Sequence, residues 1–164
     1  MQGLAATDFA DLSSRDPLTG AILGCAIEVH RTLGPGLLES AYETCLVCEL
    51  TRAGLAFEAQ VPVPIVYKGE EFPCAFRADL IVERRVLVEL KAVDCLLPVH
   101  DAQLLTYLKL RSLRVGLLIN FNAQPALSLA NELVILEGGF KGFPSVVSVV
   151  SAVQDFDFFC LLPC

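Results

Sequence analysis

An α/β or α+β sheet covered by helices is the architecture this 164-residue sequence predicts, on three observations. Apolar residues recur at helical spacing in two runs that end by Gly54. Between Phe57 and Val93 the period drops to two, and a third helical run after Pro98 leads into the short apolar segment VGLLINF.

Asp16 and Pro17 suit an N-cap followed by the first helical position. Ile22, Ala26, Val29 and Leu33 then share one face until Gly34-Pro35-Gly36 stops the run. A second helix is expected from Gly36 to about Ala53, on Leu37, Leu38, Ala41, Cys45, Leu46, Cys48 and Leu50, so that two helices meet at a tight corner. FEAQVPVPIVYKGEEFPCAFRADLIVERRVLVELKAV reads as three strands with turns at Lys68-Gly69-Glu70 and Glu83-Arg84-Arg85. Pro62 and Pro64 lack an amide donor, which puts the first strand at an edge or leaves it paired on one side. Leu104, Leu105 and Leu108 mark the apolar side of the third helix, and VGLLINF is a short buried strand. Beyond Asn122, LVIL, SVVSVVSAV and DFDFFCLL are β-prone but interrupted by Gly138-Gly139 and Pro144; added strands, a partner surface and an aggregation-prone tail all stay open there. The expected organisation is a tail over 1–17, a domain over 18–122 and an apolar extension over 123–164.

A hydrophobic content of 54% supports one compact core. The longest uncharged apolar stretches, Val115 to Asn131 and Gly142 to Gln154, are broken by Asn, Gln, Pro and Ser, whereas a membrane helix needs about 20 apolar residues. Asp8 and Asp11 stand where a secretory signal would be basic and then apolar, so a cytoplasmic protein with no membrane partner is expected. Seven irregularly spaced cysteines fit a reducing compartment. Cys45 and Cys48 form a C-x-x-C in mid-helix, away from the helix N-terminus that would activate a thiol, and His30 and His100 are isolated from any second ligand pair. The net charge of -7 does not recommend a nucleic-acid partner, yet the ends carry much of it: Arg15 to Arg114 holds 11 basic and 13 acidic residues.

Chemistry concentrates in FRADLIVERRVLVELKAV. Residues two apart on a strand share a face, so Glu89 and Lys91 project together while Val88 and Leu90 project oppositely. A three-residue loop at Glu83-Arg84-Arg85 pairs Val82 with Val86 and sets Asp79 opposite Glu89; a two-residue turn would break that register. Two adjacent carboxylates repel, and a divalent cation such as Mg²⁺ resolves the conflict, with Lys91 beside it to steady developing negative charge. A surface Glu-Lys pair with an unrelated Asp is the plainer alternative. On the third helix Gln103 and Tyr107, four apart, sit one above the other, either as support for the site or as a polar helix edge.

The set GLLESAY, with Gly36, Glu39 and Tyr42 as G-x-x-E-x-x-Y, together with Asp79, ELK at Glu89 to Lys91, and Gln103 with Tyr107, resembles the GxxExxY proteins, a branch of the PD-(D/E)xK nuclease superfamily. The resemblance covers roughly Leu18 to Asn122, including EVHRTLGPGLLESAYE, VELKAV and LLINF. It implies an α/β, restriction-endonuclease-like core, α-β-β-β-α-β, with a mixed sheet flanked by helices. It implies Asp79, Glu89 and the Leu90 carbonyl as ligands of Mg²⁺ or Mn²⁺, with Glu39 completing the acidic cluster directly or through water. Lys91 would assist the nucleophilic water, and Gln103 and Tyr107 would support the catalytic set. Tyr42 would pack or hydrogen-bond beside Glu39, and Gly36 would let the two helices approach closely. Arg77, Arg84, Arg85 and Lys109, with Arg111 and Arg114 also available, are the phosphate contacts the sequence offers. The implied activity is metal-dependent phosphodiester hydrolysis on nucleic acid, DNA or RNA, with room for a homo-oligomer. A non-catalytic binding or assembly module that retains the fold is the alternative, favoured by the thin basic surface and the apolar extension.

Overall fold

The computed structural model describes residues 16–122, 133–137 and 149–150. Along the chain run α1 (Pro17–Leu33), α2 (Glu39–Arg52), β1 (Phe57–Tyr67), β2 (Glu70–Val82), β3 (Val86–Lys91), α3 (Pro98–Arg111), β4 (Val115–Asn120), β5 (Leu133–Glu137) and β6 (Val149–Val150). Among the described residues the strands form one mixed sheet in the order β1-β2-β3-β4-β5-β6. Only the β3–β4 pair is parallel among the described residues, and α3 supplies the crossover connection that a parallel pair needs. This is the α/β architecture of a restriction-endonuclease-like core, with helices on both faces.

Among the described residues β1 pairs on one side only, with β2, and it carries Pro62 and Pro64 where an edge strand tolerates them. Its register with β2 shifts between Val63 and Ile65, at Pro64. Lys68 and Gly69, both at positive φ, make a two-residue hairpin turn. Glu83-Arg84-Arg85 is a three-residue turn, and Val82 pairs with Val86. Of the segments beyond Asn122, LVILE runs antiparallel to β4 and Val149-Val150 pairs with β5. DFDFFCLL, the Gly138-Gly139 and Pro144 interruptions, and the tail before Asp16 lie outside the described residues.

Two cores flank the sheet. Ile22, Ala26 and Val29 of α1 and Tyr42, Leu46 and Leu50 of α2 pack on Leu80, Val82, Val86, Val88, Leu90, Leu117 and Ile119. On the other side Leu104, Tyr107 and Leu108 of α3 pack on Val61, Val63, Ala78, Ile81, Leu87 and Leu118. α3 lies close to β4 because Gly116 has no side chain: a Cβ there would come within 3.0 Å of Leu104 and Leu108.

The Gly-Pro-Gly corner is held by Tyr42. Its hydroxyl donates to the Gly34 carbonyl at 2.7 Å and accepts the Leu37 amide at 3.1 Å, while its ring stacks on Phe121 at 4.6 Å. The hydroxyl thus serves the corner and not Glu39. Gly36 adopts φ +100° with nothing within 4 Å of a Cβ position, so a left-handed backbone, and not close helix approach, accounts for glycine there. The second helix begins at Glu39, later than Gly36, because the corner occupies the residues between.

Candidate active site

The ladder between β2 and β3 runs through Leu80–Val88 and stops. Continued by one residue it sets Asp79 opposite Glu89, but there the Asp79 carboxylate replaces the backbone partner, accepting the Leu90 amide at 2.8 Å. The pairing of β2 with β3 ends at this point. Glu89 is 2% exposed. Its Oε1 accepts from Lys91 Nζ at 2.8 Å and from the Gln103 amide at 2.8 Å, and the same amide group donates to Tyr107 Oη at 2.9 Å. Glu89 Oε2 is buried with no hydrogen-bond partner.

Burial and the Asp79 charge push the Glu89 carboxyl up to about 7, against the opposing pull of Lys91. Asp79 also lies above the usual carboxylate range: burial raises it most, the Leu90 amide and Lys91 offset part of this, and Glu43 and Glu39 add to the rise. Burial pulls the Lys91 ammonium down, but its hydrogen bond to Glu89 and the charges of Glu89, Glu39 and Asp79 outweigh this and leave it above its ordinary value. Lys91 is therefore a proton-bearing donor at neutral pH. Burial likewise raises the Tyr107 phenol, with Gln103 opposing and Glu89 adding.

Glu39, at the start of α2, reaches the loop after β3 and accepts the Ala92 amide at 3.2 Å. Asn120, fully buried, accepts the Val93 amide at 3.1 Å and donates to the Val93 carbonyl at 2.7 Å, which fixes that loop against the end of β4. The fold thus gathers Glu39, Asp79, Glu89, Lys91, Gln103 and Tyr107 at the end of β3. Among the described residues no three His, Cys, Asp or Glu side chains converge into a ready-made metal cage. The donor set nevertheless suits a hard cation: a buried carboxylate oxygen without a partner, beside a second carboxylate whose charge it opposes.

The arginines are distributed differently. Arg77 is exposed two residues before Asp79, and Lys109 is exposed two residues beyond Tyr107. Arg84 and Arg85 lie in the turn just before β3, about 13–23 Å along the strand from Glu89 and Lys91 at 3.3 Å per residue. There Arg85 pairs with Asp16 at 3.3 Å and Arg84 approaches Glu58 at 3.7 Å, and both line a cleft of about 490 Å³ with Arg114. The hairpin does not bring them to the carboxylates.

Three polar residues of this region escape a reading of the sequence alone. Asn120 carries a signal, a polar residue in a wholly apolar strand that must be satisfied when buried. Glu43 follows Glu39 by four on one helix face. Gln60, in an alternating strand, carries none; its amide donates to both oxygens of Glu43 at 2.9 Å and reaches Asp79 Oδ1 at 3.5 Å. Cys45 and Cys48 sit in the interior of α2 and are free thiols, and no helix among the described residues is long and apolar enough to cross a membrane.

Neither the comparison with curated proteins nor that with solved structures returned a match. Residues 16–131 match the family model of the PD-(D/E)XK nuclease superfamily, a span that contains α1 through β4 and every site residue above. With its acidic pair and lysine set at the point where β2 and β3 part, the chain belongs to the PD-(D/E)XK nuclease superfamily.

Proposed function

We propose that the protein is a divalent-metal-dependent nuclease of the GxxExxY kind, hydrolysing phosphodiester bonds of DNA or RNA. The observation that carries this reading is the buried, unpartnered Oε2 of Glu89 beside Asp79 and Lys91. An uncompensated buried carboxylate oxygen costs stability, and a site that keeps one keeps it for a ligand.

Asp79 and Glu89 would hold Mg²⁺ or Mn²⁺, with the Leu90 carbonyl and Glu39 as further ligands. When bound, the ion supplies positive charge to the phosphoryl oxygens and to the attacking water. Lys91, whose pKa is raised by its hydrogen bond to Glu89 and by the surrounding carboxylates, would orient the water and stabilise charge on the phosphoryl oxygens. Gln103 fixes Glu89 Oε1 in place and also donates to Tyr107, leaving the phenol hydrogen for a phosphate oxygen. In the hydrolysis the water oxygen bonds to phosphorus, the ester P–O bond breaks, and the proton lost by water balances the alkoxide released. Arg77, exposed on β2, and Lys109, exposed on α3, would contact the nucleic-acid backbone.

A binding or assembly module is the second reading, favoured by Glu39 and Asp79 each accepting a backbone amide. Cleavage of single- and double-stranded DNA and RNA with Mg²⁺ or Mn²⁺, beside Lys91→Ala, separates the two. Metal-dependent cleavage that falls by at least about 10²-fold in the variant is expected. Equal activity in both proteins would mark a contaminant, and none in either would leave the module.

A further inference from the structure

Five non-glycine residues among those described have positive φ, and four of them lie in turns or at a helix end: Lys68, Glu83, Arg84 and Ser112. The fifth, Gln60 at φ +54°, lies inside β1. A left-handed residue within a strand costs about 1–2 kcal/mol and reverses the alternation of faces on either side of it.

That reversal is visible. Phe57 packs on the α1–α2 side, whereas Val61 and Val63, of the same parity, pack on the α3 side. On β2, Leu80 and Val82 face α1 and α2 while Ala78 faces α3. The paired residues Ala59–Leu80 and Val61–Ala78 bracket Gln60 and Asp79, so both strands change face at the same opposed pair. Asp79 is thereby released from strict alternation at the position where its carboxylate caps Leu90.

The Gln60 side chain continues what its backbone begins. Three carboxylate oxygens surround its amide, two of Glu43 and one of Asp79, so the NH₂ end must face them. Glu43 and Asp79 repel each other, and a neutral donor between them holds both without consuming the charge a cation requires.

We propose that Gln60 is a positioning residue of the nuclease site: its left-handed backbone and its amide, braced on Glu43, together hold Asp79 in the orientation in which it caps Leu90 and faces a cation. The role of the cation rests on the nuclease reading above; the clamp on Asp79 is a property of the metal-free protein. Gln60 is exposed, so its hydrogen bonds contribute little to stability, and the conformation is retained for what it positions.

The test uses Gln60→Gly, which adopts positive φ freely, and Gln60→Asn, which tolerates it and carries an amide one methylene shorter. In metal-free protein, hydrogen exchange of the Leu90 amide, the proton that Asp79 accepts, is expected to speed by about tenfold in both variants. Ala92, held by Glu39, serves as the internal reference and stays unchanged. Mn²⁺ affinity, followed by calorimetry, is expected to weaken by about five- to tenfold, with a melting temperature no lower for Gln60→Gly. Unchanged Leu90 exchange in both variants overturns the clamp, as does an effect of glycine that asparagine does not share, which would mark backbone loosening. Wild-type protein that takes up no Mn²⁺ while Leu90 responds to both variants overturns the nuclease reading and supports the clamp.

Discussion

β3 presents two faces from six residues, and they differ in kind. Val86, Val88 and Leu90 enter a core closed by α1 and α2 in which nearly every neighbour is aliphatic or aromatic. Leu87 enters the opposite core beneath α3, but on its side of the strand Glu89 and Lys91 follow, tied to Gln103 and Tyr107. Alternation makes this division possible within one strand, since each residue's neighbours go the other way. The α1–α2 face stabilises the fold. The α3 face spends some of that stability on a carboxylate that burial disfavours.

Neighbouring substitutions on β3 should therefore act with opposite sign. Leu90→Ala, on the apolar face, is expected to cost about 2–5 kcal/mol in urea unfolding through lost packing and a residual cavity. A cost near zero would mean that the two faces do not differ as described.

Glu89→Gln should instead stabilise the metal-free protein above neutrality. A carboxyl whose pKa is raised from 4.5 to about 7 on folding binds its proton more tightly in the folded state. No difference exists below the unfolded value; as pH rises from there to about 7 stability falls, and above that the loss is complete. At about 1.4 kcal/mol per pKa unit the total is about 3 kcal/mol, and Asp79, also raised, adds in the same direction. Urea titrations from pH 4 to 8 should show wild type losing more stability than Glu89→Gln, in which the contribution of Asp79 alone remains. Parallel curves for the two proteins would refute the origin assigned here.

The two tyrosines sharpen the comparison further. Tyr42→Phe removes two hydrogen bonds that close the Gly34–Leu37 corner and is expected to cost about 1–2 kcal/mol while leaving Mn²⁺ affinity unchanged. Tyr107→Phe removes one acceptor for Gln103 and should cost less than about 1 kcal/mol. Its expected effect is on kcat, and a variant with wild-type kcat would remove the phenol from the site.

Much of this division was legible in the sequence, because period-two alternation, the three-residue turn and the ELK spacing together fix which residues of β3 share a face. The turn length gives Val82 opposite Val86, and the ladder follows that register to Leu80 and Val88, one pair short of Asp79 and Glu89. The Arg84-Arg85 turn reads as a neighbour of the site only if the length of β3 is ignored; the strand carries it to the other end. Gln60 was illegible for a physical reason: the residues around it alternate normally on either side, and only their packing reveals that the two halves of β1 face opposite ways. The strands beyond Asn122 were open because β-prone composition does not say which edge a segment will find.

Asn120, bonded at both polar groups of Val93, has a consequence for biosynthesis. Glu39, Asp79, Glu89, Lys91 and Gln103 all leave the ribosome before it, so a nascent chain holds the reactive groups well before it holds the strand that fixes the loop behind Lys91. Long-range parallel pairing forms late, after its loop-closure entropy has been met. A chain assembled in this order carries its own delay: the carboxylates and the lysine come into register only when the polypeptide that bears them has closed its sheet.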